Sequence, residues 1–96
     1  MEFFILHYKY VENYLEARRP YREAHMELAR TAARDGLLRY GGAIEGPPWE
    51  ALIVFDTDDR ARVDAFVGQD PFVQHSVVSE YRIARWPIAV GAELDR

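Results

Sequence analysis

Residues 3–8 run Phe-Phe-Ile-Leu-His-Tyr, and residues 51–55 run Ala-Leu-Ile-Val-Phe. Both stretches are unbroken runs of residues that favour strands. Side chains alternate across a strand, so Phe3 and Ile5 face one way and Phe4, Leu6 and Tyr8 the other. A strand that is apolar on both faces belongs in a sheet covered on both faces. A single sheet with one wet side does not satisfy that requirement.

The remaining elements follow from periodicity and punctuation. Residues 9–19 are polar and aromatic and read as a loop. Pro20 suits the first position of a helix, where its missing N–H costs nothing. His25, Leu28, Ala29, Ala32 and Ala33 then recur at helical spacing, and Asp35-Gly36 ends the helix with Gly36 as a left-handed cap. Glu23, Glu27, Arg30 and Arg34 form its solvated face. A second strand is expected over 37–44, with Gly41-Gly42 marking a bulge or a backbone that something approaches closely. Glu45-Gly46-Pro47-Pro48 is a turn, and a third strand spans 50–55. Thr57 is the expected N-cap of a second helix carrying Val63, Phe66 and Val67, which Gly68 closes. Asp70-Pro71-Phe72 begins a connector to a fourth strand over 77–86, and 89–96 reads as a tail beyond a core of residues 2–88.

Two strand-helix-strand units in 96 residues predict one α+β domain, a ferredoxin-like βαββαβ sandwich. Two helices cover one sheet face. The other face stays apolar, and a second copy stacked sheet to sheet would cover it, which predicts an isologous homodimer.

Several function classes are disfavoured at this level. The formal net charge is −4, without the basic face that nucleic acid requires. No apolar run approaches the length of a membrane span. There are no cysteines, so disulfides and thiolate chemistry are absent, and a cytoplasmic location is expected. No residues fall at a metal-ligand spacing, so neither metal nor cofactor is expected. The expected partner is a small-molecule ligand.

Of the three histidines, His7 on the first strand and His75 in the connector read as structural residues. His25 differs, because it lies on the buried stripe of its helix and follows Arg22 by three positions and Arg18 by seven. If the helix reached back to Arg18, all three would share one face and form an anion-attracting pocket. Taken alone, the arginines read more simply as solvated charges. Asp70, before Pro71, reads as a turn-initiating aspartate; functionally it would orient the His25 imidazole for proton transfer. Spacing alone does not bring positions 25 and 70 together.

At these residues the chain resembles the YCII-like family. The resemblance runs from Leu15 to about Trp86, through Arg18-x-x-x-Arg22-x-x-His25, Gly36-Leu37-Leu38-x-x-Gly41 and Asp70-Pro71-Phe72-Val73. It implies a dimeric α/β barrel built by sheet stacking, and a site in which His25 and Asp70 lie together. Members of known activity include a dehydrochlorinase acting on a chlorinated hydroxyquinol, and the group is related to muconolactone isomerases. Gly42 departs from the family's frequent proline, and His75-Ser76 from its small-residue pair. The expectation is therefore cofactor-free elimination or isomerisation of a small aromatic or enolic compound. His25 and Asp70 would be catalytic, with Arg18 and Arg22 binding substrate. The alternative is a non-catalytic metabolite-binding or accessory module.

Overall fold

The computed structural model describes residues 2–93. It contains β1 (Phe3–Tyr10), α1 (Tyr14–Ala17), α2 (Arg22–Arg34), β2 (Leu38–Ile44), β3 (Glu50–Asp56), α3 (Arg60–Gln69), α4 (Pro71–Gln74) and β4 (Val78–Arg85). The four strands form one antiparallel sheet in the order β2-β3-β1-β4. The two most apolar strands, β1 and β3, take its centre. This is the ferredoxin-like α+β arrangement expected.

The alternation within β1 divides as the sequence predicts. Phe4, Leu6 and Tyr8 point to the helical side and join Ile53, Phe55, Val63, Phe66, Val67, Phe72 and Val77 in the core. Phe55 is fully buried, edge-on to Phe66 at 5.2 Å. Burying aromatic rings of this size is the largest single source of stability a small core has. On the opposite face, Ile5 and His7 lie between Val54 and Leu52 of β3 and Ala84 and Arg82 of β4. His7 donates a hydrogen bond to Glu50 there, and the structural expectation for it stands. Tyr40 (59% exposed), Ile44 (44%) and Leu52 (38%) leave this face open and partly apolar.

Several local expectations need correction. Residues 9–19 are not a plain loop: β1 continues to Tyr10, and α1 forms around Tyr14. Tyr14 is buried because its ring stacks on Tyr10 at 4.0 Å and meets Trp49 and Phe72, partners distant in sequence. Pro20 lies in the turn ahead of α2, which starts at Arg22 with Tyr21 at its N-cap. Ala33 faces solvent, outside the stripe of Leu28, Ala29 and Ala32. Asp59, not Thr57, caps α3 by accepting from the Ala61 N–H at 2.9 Å. Thr57 instead accepts from the Asp59 N–H and shapes the turn before it. Gly68 lies inside α3, which runs on to Gln69. The connector after Asp70 is the short helix α4, with Pro71 at its first turn.

Gly36 caps α2 at φ +81°, as expected. The irregularity in β2 falls between Leu38 and Tyr40, just ahead of the glycine pair. Of the expected tail, residues 94–96 lie outside the described residues. Val90, Gly91 and Glu93 border a hollow with Phe3, Tyr40 and Val54, and Glu93 meets Arg39 and Tyr40. No helix among the described residues is long and apolar enough to cross a membrane.

Candidate active site

The site is built where α1, α2 and α4 meet the β2–β3 side of the sheet. α2 carries His25 on its inward face, where 9% of the residue remains exposed. Asp70 sits between α3 and α4 and is fully buried. Its position follows from capping: Oδ1 accepts from the Phe72 N–H at 3.0 Å, satisfying an amide at the start of α4. The same oxygen lies 2.8 Å from His25 Nδ1. The turn-initiating expectation for Asp70 holds, and the same carboxylate lies beside the His25 ring. Phe72 stacks face to face on the His25 ring at 3.9 Å and fixes its plane.

A third group completes the cluster, and sequence reasoning assigned it only to the apolar face of β1. The Tyr8 hydroxyl donates to Asp70 Oδ2 at 2.7 Å. The signal available was its residue type: a tyrosine at a fully buried strand position needs a partner for its hydroxyl. Asp70 therefore accepts at both oxygens. A carboxylate accepting from an imidazole places the ring proton on Nδ1 and leaves Nε2 as the acceptor.

A cavity of about 240 Å³ adjoins His25. Tyr10, Tyr14 and Phe72 supply aromatic walls, Gly41, Ala43 and Ala51 a floor of small residues, and Arg18 and Arg22 its cationic side. The two arginines arrive differently from the expectation. α2 begins at Arg22, and Arg18 is the C-cap of α1, so the three residues do not share one helix face. The intervening turn nevertheless brings both to the cavity. Arg18 donates to the Tyr14 hydroxyl at 3.0 Å and lies over that ring at 4.9 Å. Neither arginine has a carboxylate partner among the described residues. His75 is not isolated: it stacks on Tyr21 at 4.1 Å, which orders the α4 end beside the start of α2. Among the described residues, no three His, Asp or Glu side chains converge on a metal-sized site.

Burial, then the Asp70 charge, pushes the Tyr8 hydroxyl far above the usual tyrosine range. Burial and the neighbouring Tyr14 do the same to Tyr10. Both hydroxyls therefore stay protonated in the folded protein at pH values where the unfolded chain, near 10.0, has lost those protons. A folded value above the unfolded one gives stability that is complete below about pH 10 and is lost as pH rises beyond it. Urea midpoints measured from pH 8 to 11 should fall above pH 10, with Tyr8 contributing roughly 1.4 kcal/mol per pH unit. Tyr8→Phe should flatten that decline.

The site and fold can be set beside known proteins. The 5-chloro-2-hydroxyhydroquinone dehydrochlorinase from Burkholderia phenoliruptrix, solved with 2,5-dihydroxybenzoquinone, superposes with a TM-score of 0.79. Its identity is 18%, over 91% of this chain and 95% of that one. A structural-genomics protein of Agrobacterium tumefaciens matches at TM-score 0.61 and 17% identity, over 93% of this chain and 94% of the other. An antibiotic biosynthesis monooxygenase matches at 0.59 and 13%, over 94% and 100%. At these identities the likeness concerns the fold. Comparison with curated proteins finds no relative. Residues 1–87 match the YCII-related domain, and the chain belongs to that family.

Proposed function

We propose that this protein is a small-molecule enzyme that uses His25 and Asp70 for cofactor-free acid/base chemistry on a small anionic enol or hydroxy-aromatic compound. The observation that carries this reading is the His25 Nδ1–Asp70 Oδ1 contact of 2.8 Å at the wall of a cavity flanked by two arginines that have no carboxylate partner among the described residues. In this reading His25 Nε2 accepts a proton from the ligand. Asp70 holds the ring in place and stabilises the imidazolium that forms. Arg22 and Arg18 hold the ligand's anionic oxygen. In an isomerisation the proton returns at another atom of the same molecule. In an elimination a leaving group departs with its bonding electrons as the new double bond forms, and His25 later releases the proton to water. Neither path changes the oxidation state of the protein.

The likeness to a dehydrochlorinase solved with 2,5-dihydroxybenzoquinone supports a ligand of one ring. So does the cavity, which is smaller than the roughly 300–1,000 Å³ typical of drug-sized ligands. The test is an NMR screen in D₂O of halogenated hydroxyquinols, dihydroxyquinones and unsaturated lactones. The reading expects deuterium incorporation, halide release or isomerisation with at least one class. Saturable binding with no exchange or turnover in any class would instead support the non-catalytic module.

Gly41 gives a prediction about cavity size. A Cβ there would lie 3.5 Å from the Ile53 side chain and 3.7 Å from Leu38, an ordinary contact, and its φ is not in the left-handed region. Gly41→Ala should therefore fold as the parent does, since only a Cβ is added. Its methyl would narrow the floor of the cavity. Titration calorimetry with 2,5-dihydroxybenzoquinone should show affinity reduced by roughly tenfold or more, the range that one misplaced methyl group produces.

We further infer that the protein is a cytoplasmic homodimer, supported by the absence of cysteines and by the open sheet face bearing Tyr40, Ile44 and Leu52. Sedimentation should give twice the monomer mass. Leu52→Glu should shift the population to monomer, since it would leave a carboxylate unpaired between two sheets.

A further inference from the structure

We propose that Tyr8 is a positioning residue of the site: its hydroxyl clamps one oxygen of Asp70 so that the other aims at His25 Nδ1. The inference rests on the reading of His25 as the acid/base group and extends it to a residue that does not line the cavity.

The geometry has three anchors on three elements. Tyr8 comes from the centre of the sheet, Asp70 from the junction of α3 and α4, and His25 from α2. Asp70 is fully buried, so no water competes for its oxygens. A carboxylate held at one oxygen can rotate about its last torsion, which is soft. Here the Phe72 N–H holds Oδ1 at 3.0 Å and the Tyr8 O–H holds Oδ2 at 2.7 Å. Those two bonds define the carboxylate plane and leave one direction of Oδ1 for His25, 2.8 Å away. The Tyr8 ring is in turn fixed edge-on to Tyr10 and Tyr81, at 6.0 and 6.5 Å. Burial and the facing carboxylate keep its hydroxyl protonated, so it serves Asp70 only as a donor. Phenylalanine would fill the same core space and supply none of this.

The test is ¹⁵N NMR of the histidine side chains in the ligand-free protein, which needs no substrate. The parent should show His25 as the Nδ1–H tautomer, with a ring N–H that exchanges slowly with water. Tyr8→Phe should speed that exchange by about tenfold, the change expected when one net hydrogen bond is lost. Tyr81→Phe, which alters a neighbouring ring away from Asp70, should leave it unchanged. A purely structural Tyr8 would lower the urea midpoint of Tyr8→Phe while its His25 tautomer and exchange stayed as in the parent, and that result overturns the proposal. If Tyr8→Phe does not fold, the parent decides: a Tyr8 hydroxyl proton resolved from water supports the clamp, and its absence overturns it. A parent in which His25 is the Nε2–H tautomer would instead sink the acid/base reading itself. On any substrate found, Tyr8→Phe should reduce kcat with KM unchanged.

Discussion

Replacing His25 with alanine should lower turnover of a converted substrate by roughly 10²–10⁴, the span attributed to one positioned acid/base group. The loss should fall on kcat. Ligand affinity should change little, because Arg22, Arg18 and the tyrosine walls remain. The fold should persist, since His25 lies at the edge of the core and the Phe72 ring it covers is anchored by Tyr10 and Tyr14 as well. His25→Gln should be as inactive as the alanine variant, because an amide preserves polarity without accepting a proton in this range. Full activity in either variant would remove His25 from the chemistry.

Asp70→Ala should produce the largest loss of stability of any single change at the site. It removes the acceptor for three donors at once: the Tyr8 hydroxyl, the Phe72 amide and His25 Nδ1. The Tyr8 hydroxyl would be left buried and unpaired, and the N-cap of α4 would be gone. Together these should cost about 2–4 kcal/mol, at roughly 1–3 kcal/mol for the stranded Tyr8 hydroxyl and about 1 kcal/mol for the cap. A domain with ~5–15 kcal/mol in total is severely weakened by that amount. Urea unfolding followed by fluorescence measures it directly. Asp70→Asn should keep most of the stability. Its amide oxygen can still cap Phe72 and accept from His25, and its NH₂ can donate to the Tyr8 oxygen. It should nevertheless lose turnover, because the charge that stabilises an imidazolium is absent. The pair of variants thus separates the structural work of Asp70 from the chemical work assigned to it.

The parts of this molecule legible in its sequence are those with local causes. β1 and β3 announce themselves by unbroken β-forming residues, and their two-sided apolarity predicts both the helical layer and the open face that bears Leu52 and Tyr40. Gly36 marks the end of α2 because a left-handed residue is needed there. The parts that were not legible depend on distant partners. Nothing in Asn13-Tyr14-Leu15-Glu16 has helical apolar periodicity, and α1 forms because Tyr14 is held by Tyr10, Trp49 and Phe72. α3 passes through Gly68 because the break is set two residues later, where Asp70 caps the next helix. The same holds for the site. His25 stood out by its place on the buried stripe of α2. Its meeting with Asp70, 45 positions away, was expected from family resemblance and not from spacing. Tyr8 is 62 positions from Asp70, and only its hydroxyl at a buried position hinted at a partner. The arginines reach one cavity, but by a turn between two helices in place of the single helical face that their spacing suggested.

The most direct test of the central claim is a crystal structure of the protein with 2,5-dihydroxybenzoquinone, or with a compound found to turn over, read for what His25 Nε2 faces. The account predicts a ligand in the cavity between α2 and β2, with an oxygen or its exchangeable proton within about 2.6–3.2 Å of Nε2 and an anionic oxygen on Arg22. A ligand bound elsewhere, or one in the cavity with Nε2 turned away from it, would contradict the account.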